Sequence, residues 1–199
     1  MSSPEYDFII VGQGLAGSVL SYLLIRDGNK VLVIDHFNPS SSSQVAAGLV
    51  NPVTGRRVVK SWMADTLLPF AHNFYRDTEK ESGESFYHPM DVLEVVHSVK
   101  DLNEWTSRTA DEEMSKYFTR ESPEELYKNR ICDFKKMIRI SSSAWMNIPL
   151  FIEVCRKRLK ESNAILEEEF EFSSLNIKNN FIEYRHIKSK QIIFCEGYR

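Results

Sequence analysis

The chain has 199 residues, 42% of them hydrophobic and 27% charged, with a net charge of −3 at pH 7 and a pI of about 6.0. These proportions are those of a globular protein with room for one large domain or two small ones. The acidic balance argues against a nucleic-acid binder held by a basic surface, and no apolar run is long enough for a membrane-spanning helix.

The first element is the apolar run Phe8-Ile9-Ile10-Val11, which reads as a buried strand. It flows into Gly12-Gln13-Gly14-Leu15-Ala16-Gly17, a G-x-G-x-x-G spacing. Leu15, Ala16, Val19, Leu20, Leu23 and Leu24 then keep the i, i+3, i+4 rhythm of a helix, which Asp27-Gly28-Asn29 stops. Strand, tight turn and helix in this order form the context that the dinucleotide fingerprint requires. Gly12 makes the turn, Gly14 lets a pyrophosphate approach the backbone, and Gly17 lets the helix pack closely. The phosphates then meet free N–H groups at the positive end of the helix.

A second buried strand follows in Val31-Leu32-Val33-Ile34, and Asp35 closes it 23 residues after Gly12. An acidic residue about 20 residues on is the partner of a ribose hydroxyl. His36 follows it and no Arg stands nearby, so the ribose is read without a 2′-phosphate. The cofactor is then NAD or FAD rather than NADP. Asn38-Pro39 and the serine run 40–43 read as a linker, or as a cap on a helical Gln44-Val45-Ala46-Ala47 that would expose N–H groups to an anion.

Residues 47–57 are expected to be an irregular loop. A helix is expected over 61–80, with Trp62, Leu67, Phe70, Phe74 and Tyr75 in the core and Pro69 kinking or dividing it. One or two strands are expected over 86–99, broken at His88-Pro89. A polar-faced helix follows over 100–113, a loop with a short helix over 117–128, and a strand over 133–141. The pattern then returns to α/β. Residues 148–161 form an amphipathic helix with Pro149 in its first turn and Leu150, Val154 and Leu159 inward. A strand over 164–170, a hairpin around Asn179-Asn180 and a buried strand over 191–195 complete it.

The fold class is therefore α/β. Residues 1–60 and 145–199 form the two parts of one dinucleotide-binding domain, with an α+β domain, 61–144, inserted between them. Such an insertion places a second domain beside the strand C-termini, where ligands bind in open α/β sheets. The leader-like features of a secreted chain are missing from Met1-Ser2-Ser3-Pro4-Glu5. Cys132, Cys155 and Cys195 are scattered and form no C-x-x-C pair, which fits inert thiols in a reducing, cytoplasmic setting. The five histidines have no ligand-like spacing, so no metal site is expected.

The order of the Gly12–Gly17 turn, Asp35, the Ser-rich segment, Ala46-Ala47-Gly48, an inserted domain and Ile193-Phe194-Cys195-Glu196-Gly197-Tyr198 resembles the FAD-dependent oxidoreductases of the D-amino-acid oxidase superfamily. The resemblance implies FAD, a Rossmann-like domain whose parallel sheet carries a β-meander, and a substrate domain over the flavin. It also implies oxidation of a C–N bond in a small amine or amino acid. It places Gly12, Gly14 and Gly17 on the pyrophosphate and Asp35, where the family usually has Glu, on the adenosine ribose. Ser42 and Ser43 fall near the pyrophosphate and ribityl chain, and Ala47, Gly48 and Leu49 pass the isoalloxazine. Phe170 ends the third strand, where the family's backbone reads adenine, and Gly197 lies in the last strand-turn against the cofactor. The family continues beyond such a strand-turn, so the chain is expected to be an N-terminal part, with both domains incomplete and possible self-association.

The implied reaction passes a hydride from the carbon beside an amine to the flavin, giving an imine that water hydrolyses. A substrate carboxylate would suit the planar fork of an Arg, and Arg56 or Arg57 stands just after the flavin-side loop. The reading preferred for both is that they are surface charges, with Lys60, or contacts to sequence outside the chain. The clusters Lys135-Lys136 and Arg156-Lys157-Arg158 and the run Glu167-Glu168-Glu169 are read as solvated faces of helices and strands. Two other readings stand beside the oxidoreductase. One is a non-catalytic dinucleotide-binding module. The other is the flavin domain of a tRNA wobble-uridine modification enzyme, the one case in which nucleic acid would be a partner.

Overall fold

A computed structural model describes residues 5–54, 58–119, 124–127, 129–131 and 133–197. The chain divides into two compact units, Met1–Ala47 with Ile148–Arg199, and Gly48–Asn147. The first unit thus closes before residue 60 and resumes after residue 145.

The first unit is built on a six-stranded sheet. In spatial order its strands are Ile165–Leu166, Val31–Ile34, Tyr6–Val11, Ile187–Phe194, Ile182–Tyr184 and Leu175–Ile177. The first four run parallel, and the last two return antiparallel as a meander. Parallel neighbours need crossovers, and the helices Leu15–Arg26 and Ile148–Glu161 lie in them. Side chains alternate between the two faces of a strand. Ile10, Val31 and Val33 take one face and pack with Leu20, Leu24, Leu159 and Ala164. Ile9, Val11, Leu32 and Ile34 take the other and pack with Phe170, Tyr184 and Ile187. Burial on both faces explains why these strands read as unbroken apolar runs. Each such aliphatic side chain contributes about 1.5–3 kcal/mol.

The first helix ends where expected. Asp27 donates its N–H to Leu23 O, and Gly28 takes the left-handed conformation at φ +85°. The hairpin around Asn179-Asn180 also forms, with Leu175–Ile177 paired to Ile182–Tyr184. Three expectations need correction. The helix Ile148–Glu161 buries Ile148, Phe151, Ile152, Cys155 and Leu159, while Leu150 and Val154 lie off that seam and stay half-buried. The strand expected over 164–170 is only Ile165–Leu166. Beyond it Glu167 turns to Arg156 and Lys160, and Glu168 to Arg185, so the carboxylates leave the ladder for cations. The last strand starts four residues early, at Ile187, because Ser189 is fully buried and Lys190 is held by Asp7 at 2.6 Å.

The second unit contains short strands. Leu49–Val50, Ala144–Met146 and Tyr87–Pro89 make one sheet. Val92–Val96, Lys136–Ile140 and Phe118–Thr119 make another, and Val53–Thr54 pairs with Val59–Lys60. The segment expected to be irregular after Ala47 therefore holds two strands. Ala144–Met146 was not anticipated, and the break near residue 90 follows His88-Pro89 rather than falling on it. The long helix runs Ala64–Ser82 without division at Pro69 and stops at Gly83, φ +75°. The helix expected over 100–113 is two, Val99–Thr109 and Glu112–Ser115, and Ser98 caps the first through Asp101 N–H. The core joins Val53, Val58, Ala64, Val96, Trp105, Met114, Tyr117, Ile138 and Ile140. Phe74 and Tyr75 are buried as expected, but Trp62, Leu67 and Phe70 are 81%, 43% and 48% exposed. Trp62 precedes the helix and takes no part in its periodicity. Phe70 stacks on Phe74 from the edge of the buried seam, 6.2 Å between centroids.

The corrected helix face is open to a direct test. Phe151 has no exposed surface, so Phe151→Ala should cost about 3–5 kcal/mol of unfolding free energy in a urea titration. Leu150→Ala should cost well under half of that. Equal losses at the two positions would return the inward face to the one the sequence suggested.

Candidate functional site

The strand Tyr6–Val11 ends between two parallel neighbours, and the backbone that leaves it is crowded on both sides. Gly12 has φ +95°, and a Cβ there would meet Cys195 O at 2.7 Å. A Cβ on Gly17 would stand 1.9 Å from Gly12 O. Both positions exclude a side chain by contact with backbone, which cannot yield. Gly14 is different. Its φ of −74° suits any residue, and a Cβ would approach only Ser43 Oγ, at 3.1 Å. The glycine there keeps open the space over the helix N-terminus, which Ser43 borders. Ser43 Oγ accepts from Leu15 N–H at 3.0 Å, and Ser18 N–H goes to Gly14 O. The N–H groups of Gly14 and Ala16 have no partner among the described residues. Free donors of this kind at the positive end of a helix suit an anion.

Asp35 stands beside the turn. Its Oδ1 accepts from Gln13 N–H at 2.8 Å, and its Oδ2 accepts from Arg156 Nη1 at 2.7 Å. Arg156 Nη1 also donates to Gln13 Oε1 at 2.7 Å, and its Nε and Nη2 donate to Glu167 Oε1 at 3.1 and 2.8 Å. Gln13 is 3% exposed and donates Nε2 to Ser18 Oγ and Ile152 O. An Arg therefore does stand near Asp35, and Arg156 is not part of a solvated helix face. Gln13 and Arg156 escaped the sequence reading. Gln13 occupies a variable position of the fingerprint, and Arg156 lies 121 residues from Asp35, beyond any local spacing rule.

The other expected residues are placed as follows. Ser42 and Ala47 are exposed near Ser43 in sequence. Gly197 has φ +74°, and nothing lies within 4 Å of its Cβ position. Phe170 does not end the third strand, which stops at Leu166. It is buried and stacked on Tyr184, 4.6 Å between centroids. In the second unit, Gly48 has φ +74°, and a Cβ there would lie 1.9 Å from Met146 O, so it holds a sheet contact. Leu49 pairs with Trp145 and is 56% exposed. Arg56, Arg57 and Cys132 lie outside the described residues. Burial pushes the Cys155 thiol up to about 12, so it is inert near neutral pH.

The second unit also holds a cavity of about 780 Å³ bordered by Asp65, His72, Tyr87, Met90 and Lys116. Hydrogen bonds from Lys116, Tyr117 and Lys60 hold the Asp65 carboxyl well below the usual carboxylate range. Burial and then Asp65 push Tyr117 up to about 12. Neither group exchanges a proton near neutral pH. No helix of the described residues is long and apolar enough to cross a membrane, and no group of three His, Cys, Asp or Glu side chains among them is placed to hold a metal ion.

Known proteins resemble parts of this sequence and this fold. Protein FixC of Salmonella typhi is 41% identical over 59 residues, 30% of this chain and 14% of FixC. Glycine oxidase from Bacillus cereus ATCC 14579 superposes with a TM-score of 0.74 at 15% identity, covering 97% of this chain and 55% of that one. L-proline dehydrogenase from P. horikoshii gives 0.71 at 14% identity, covering 98% and 53%. The chain thus spans about half the length of these solved proteins. The family model for FAD dependent oxidoreductase (DAO) matches residues 7–199. With a match over nearly the whole sequence, the chain belongs to the DAO family of FAD-dependent oxidoreductases.

Proposed function

We propose that this chain carries the FAD-holding part of an enzyme that oxidises the C–N bond of a small amine or amino acid. The observation that carries the reading is the crowded turn at Gly12 and Gly17, with Gly14, Ser43 and Asp35 around the free helix N-terminus. The names of the similar solved proteins, glycine oxidase and L-proline dehydrogenase, support an amino-acid substrate. FAD held there would supply the hydride acceptor for the carbon next to the amine nitrogen.

The residues of the chain do the rest. Gly14 and Ala16 N–H groups bind the pyrophosphate, with Ser42 and Ser43 beside it. Asp35 accepts from the adenosine ribose, and the backbone near Gly197 completes the nucleotide end. Residues 1–47 with 148–199 are the FAD-binding domain, and 48–147 are part of the substrate domain, where Arg56 or Arg57 anchors a carboxylate. A ribose hydroxyl is a neutral donor, so it matches an ionised Asp in a way that a 2′-phosphate does not.

The proposal is tested by spectrum and turnover. The full-length enzyme that carries this chain, purified with FAD, should show a flavin spectrum that bleaches anaerobically on adding its substrate, found by screening amino acids and N-methyl amines, while this chain alone is expected to be inactive. A flavin spectrum that no amine bleaches would leave FAD binding and remove the C–N reaction. The Asp35 assignment has its own test. A hydrogen bond to a charged acceptor is worth about 1.5–3 kcal/mol, so Asp35→Ala should weaken FAD by roughly ten- to a hundredfold by equilibrium titration. Unchanged affinity would take the ribose away from this carboxylate.

A further inference from the structure

We infer that Arg156 is a positioning residue of the ribose site, setting the Asp35 carboxylate so that its remaining lone pairs meet the adenosine hydroxyls. The inference rests on the assignment of Asp35 as ribose acceptor. The helix Ile148–Glu161 brings Arg156 to the edge of the glycine turn within the same unit. A surface arginine leaves its guanidinium in water. Here the side chain is 12% exposed, and its partner Asp35 is 16% exposed.

The fork is held at both edges. Nη1 meets Asp35 Oδ2 and Gln13 Oε1, while Nε and Nη2 grip Glu167 Oε1. The Phe37 ring lies 5.7 Å from the guanidinium carbon. Glu167 fixes the plane of the guanidinium, and the guanidinium then fixes Asp35. A lysine cannot do this, since it is a point charge without a rigid second edge.

An aspartate side chain has two torsions. Gln13 N–H fixes one carboxylate oxygen and Arg156 the other, so neither torsion is left free. A carboxylate offers about four acceptor sites, and two are taken. The rest are available to two neighbouring hydroxyls in a fixed orientation. Ordering the acceptor before the ligand arrives removes a cost that binding would otherwise carry. The chain has Asp where a longer Glu would reach further, and a fixed short acceptor needs such a support.

The test uses two ligands, FAD and its analogue with 2′-deoxyadenosine, titrated by flavin fluorescence into the protein and its variants. The unmodified protein should prefer FAD about tenfold, the loss of one hydroxyl bond to a charged acceptor. In Arg156→Met, FAD should weaken about tenfold and the analogue less than about threefold, so that the preference nearly vanishes. A purely structural role would weaken both ligands equally. Arg156→Lys should lose part of the preference. Glu167→Gln, which keeps the charge on Arg156 but loosens its plane, should move it the same way. These two variants decide the matter if Arg156→Met does not fold, as read by circular dichroism. The full preference retained in the folded variants overturns the inference alone. Equal binding of the two ligands by the unmodified protein overturns the Asp35 assignment and the inference together.

Discussion

The first unit depends on a backbone approach that leaves no room for a side chain. The Gly12 carbonyl is 1.9 Å from where a Gly17 Cβ would be, and the Cys195 carbonyl is 2.7 Å from where a Gly12 Cβ would be. The helix Leu15–Arg26 can therefore begin directly on the turn, instead of standing off by the width of a methyl group. The strand Ile187–Phe194 can flank the same turn, with Cys195 N–H bonded to Val11 O at 2.7 Å. At the start of this helix Leu15 N–H goes to Ser43 Oγ, and the N–H groups of Gly14 and Ala16 have no partner among the described residues. The contact that closes the sheet is thus the same one that leaves these two donors unpaired at the helix N-terminus.

A second layer of polar contacts holds that turn in place. Gln13 is buried inside a glycine-rich loop, where a polar side chain without partners would be costly. Its amide nitrogen reaches Ser18 and Ile152, its amide oxygen reaches Arg156, and its backbone N–H reaches Asp35. The loop, the first helix and the helix Ile148–Glu161 are joined through one side chain. The Asp35–Arg156 pair is largely withdrawn from water, and Arg156 keeps Glu167 as a second partner. Replacing both with apolar groups would cost less than removing one, which makes the pair a device for geometry more than for stability.

What the sequence made legible follows from how local each signal is. The strands Tyr6–Val11 and Val31–Ile34, the glycine turn and the helix Leu15–Arg26 form one contiguous βαβ unit with a known spacing. The position of Asp35 followed from the same spacing. Arg156 could not be found this way, because its role arises from a contact between residues far apart in sequence. Its neighbours Lys157 and Arg158 made it look like a basic helix surface. Glu167 misled in the same manner: three glutamates after an apolar pair resemble a strand face, yet two of them turn away to pair with cations. In both cases a charge run looks solvated until its partner is known. The helix Ile148–Glu161 was found to the residue, but its inward face was not, since apolar residues lie on more than one side of it.

The second unit was harder to read for a different reason. Its strands are two to five residues long, too short for alternation to separate them from loop. Several turns are made by residues that rarely make them. Val58 has φ +50° and Met63 φ +51°, where a β-branched or bulky side chain is strained by about 1–2 kcal/mol. No sequence rule puts a valine there. Val58 is 1% exposed and packs in the core with Val53, Ala64 and Trp105, and burying it returns about 1.5–3 kcal/mol. The backbone at Val58 is therefore set by what its side chain buries, against its own backbone preference. Where tertiary burial outweighs local preference by so small a margin, the outcome follows from the packed core and not from the segment read alone.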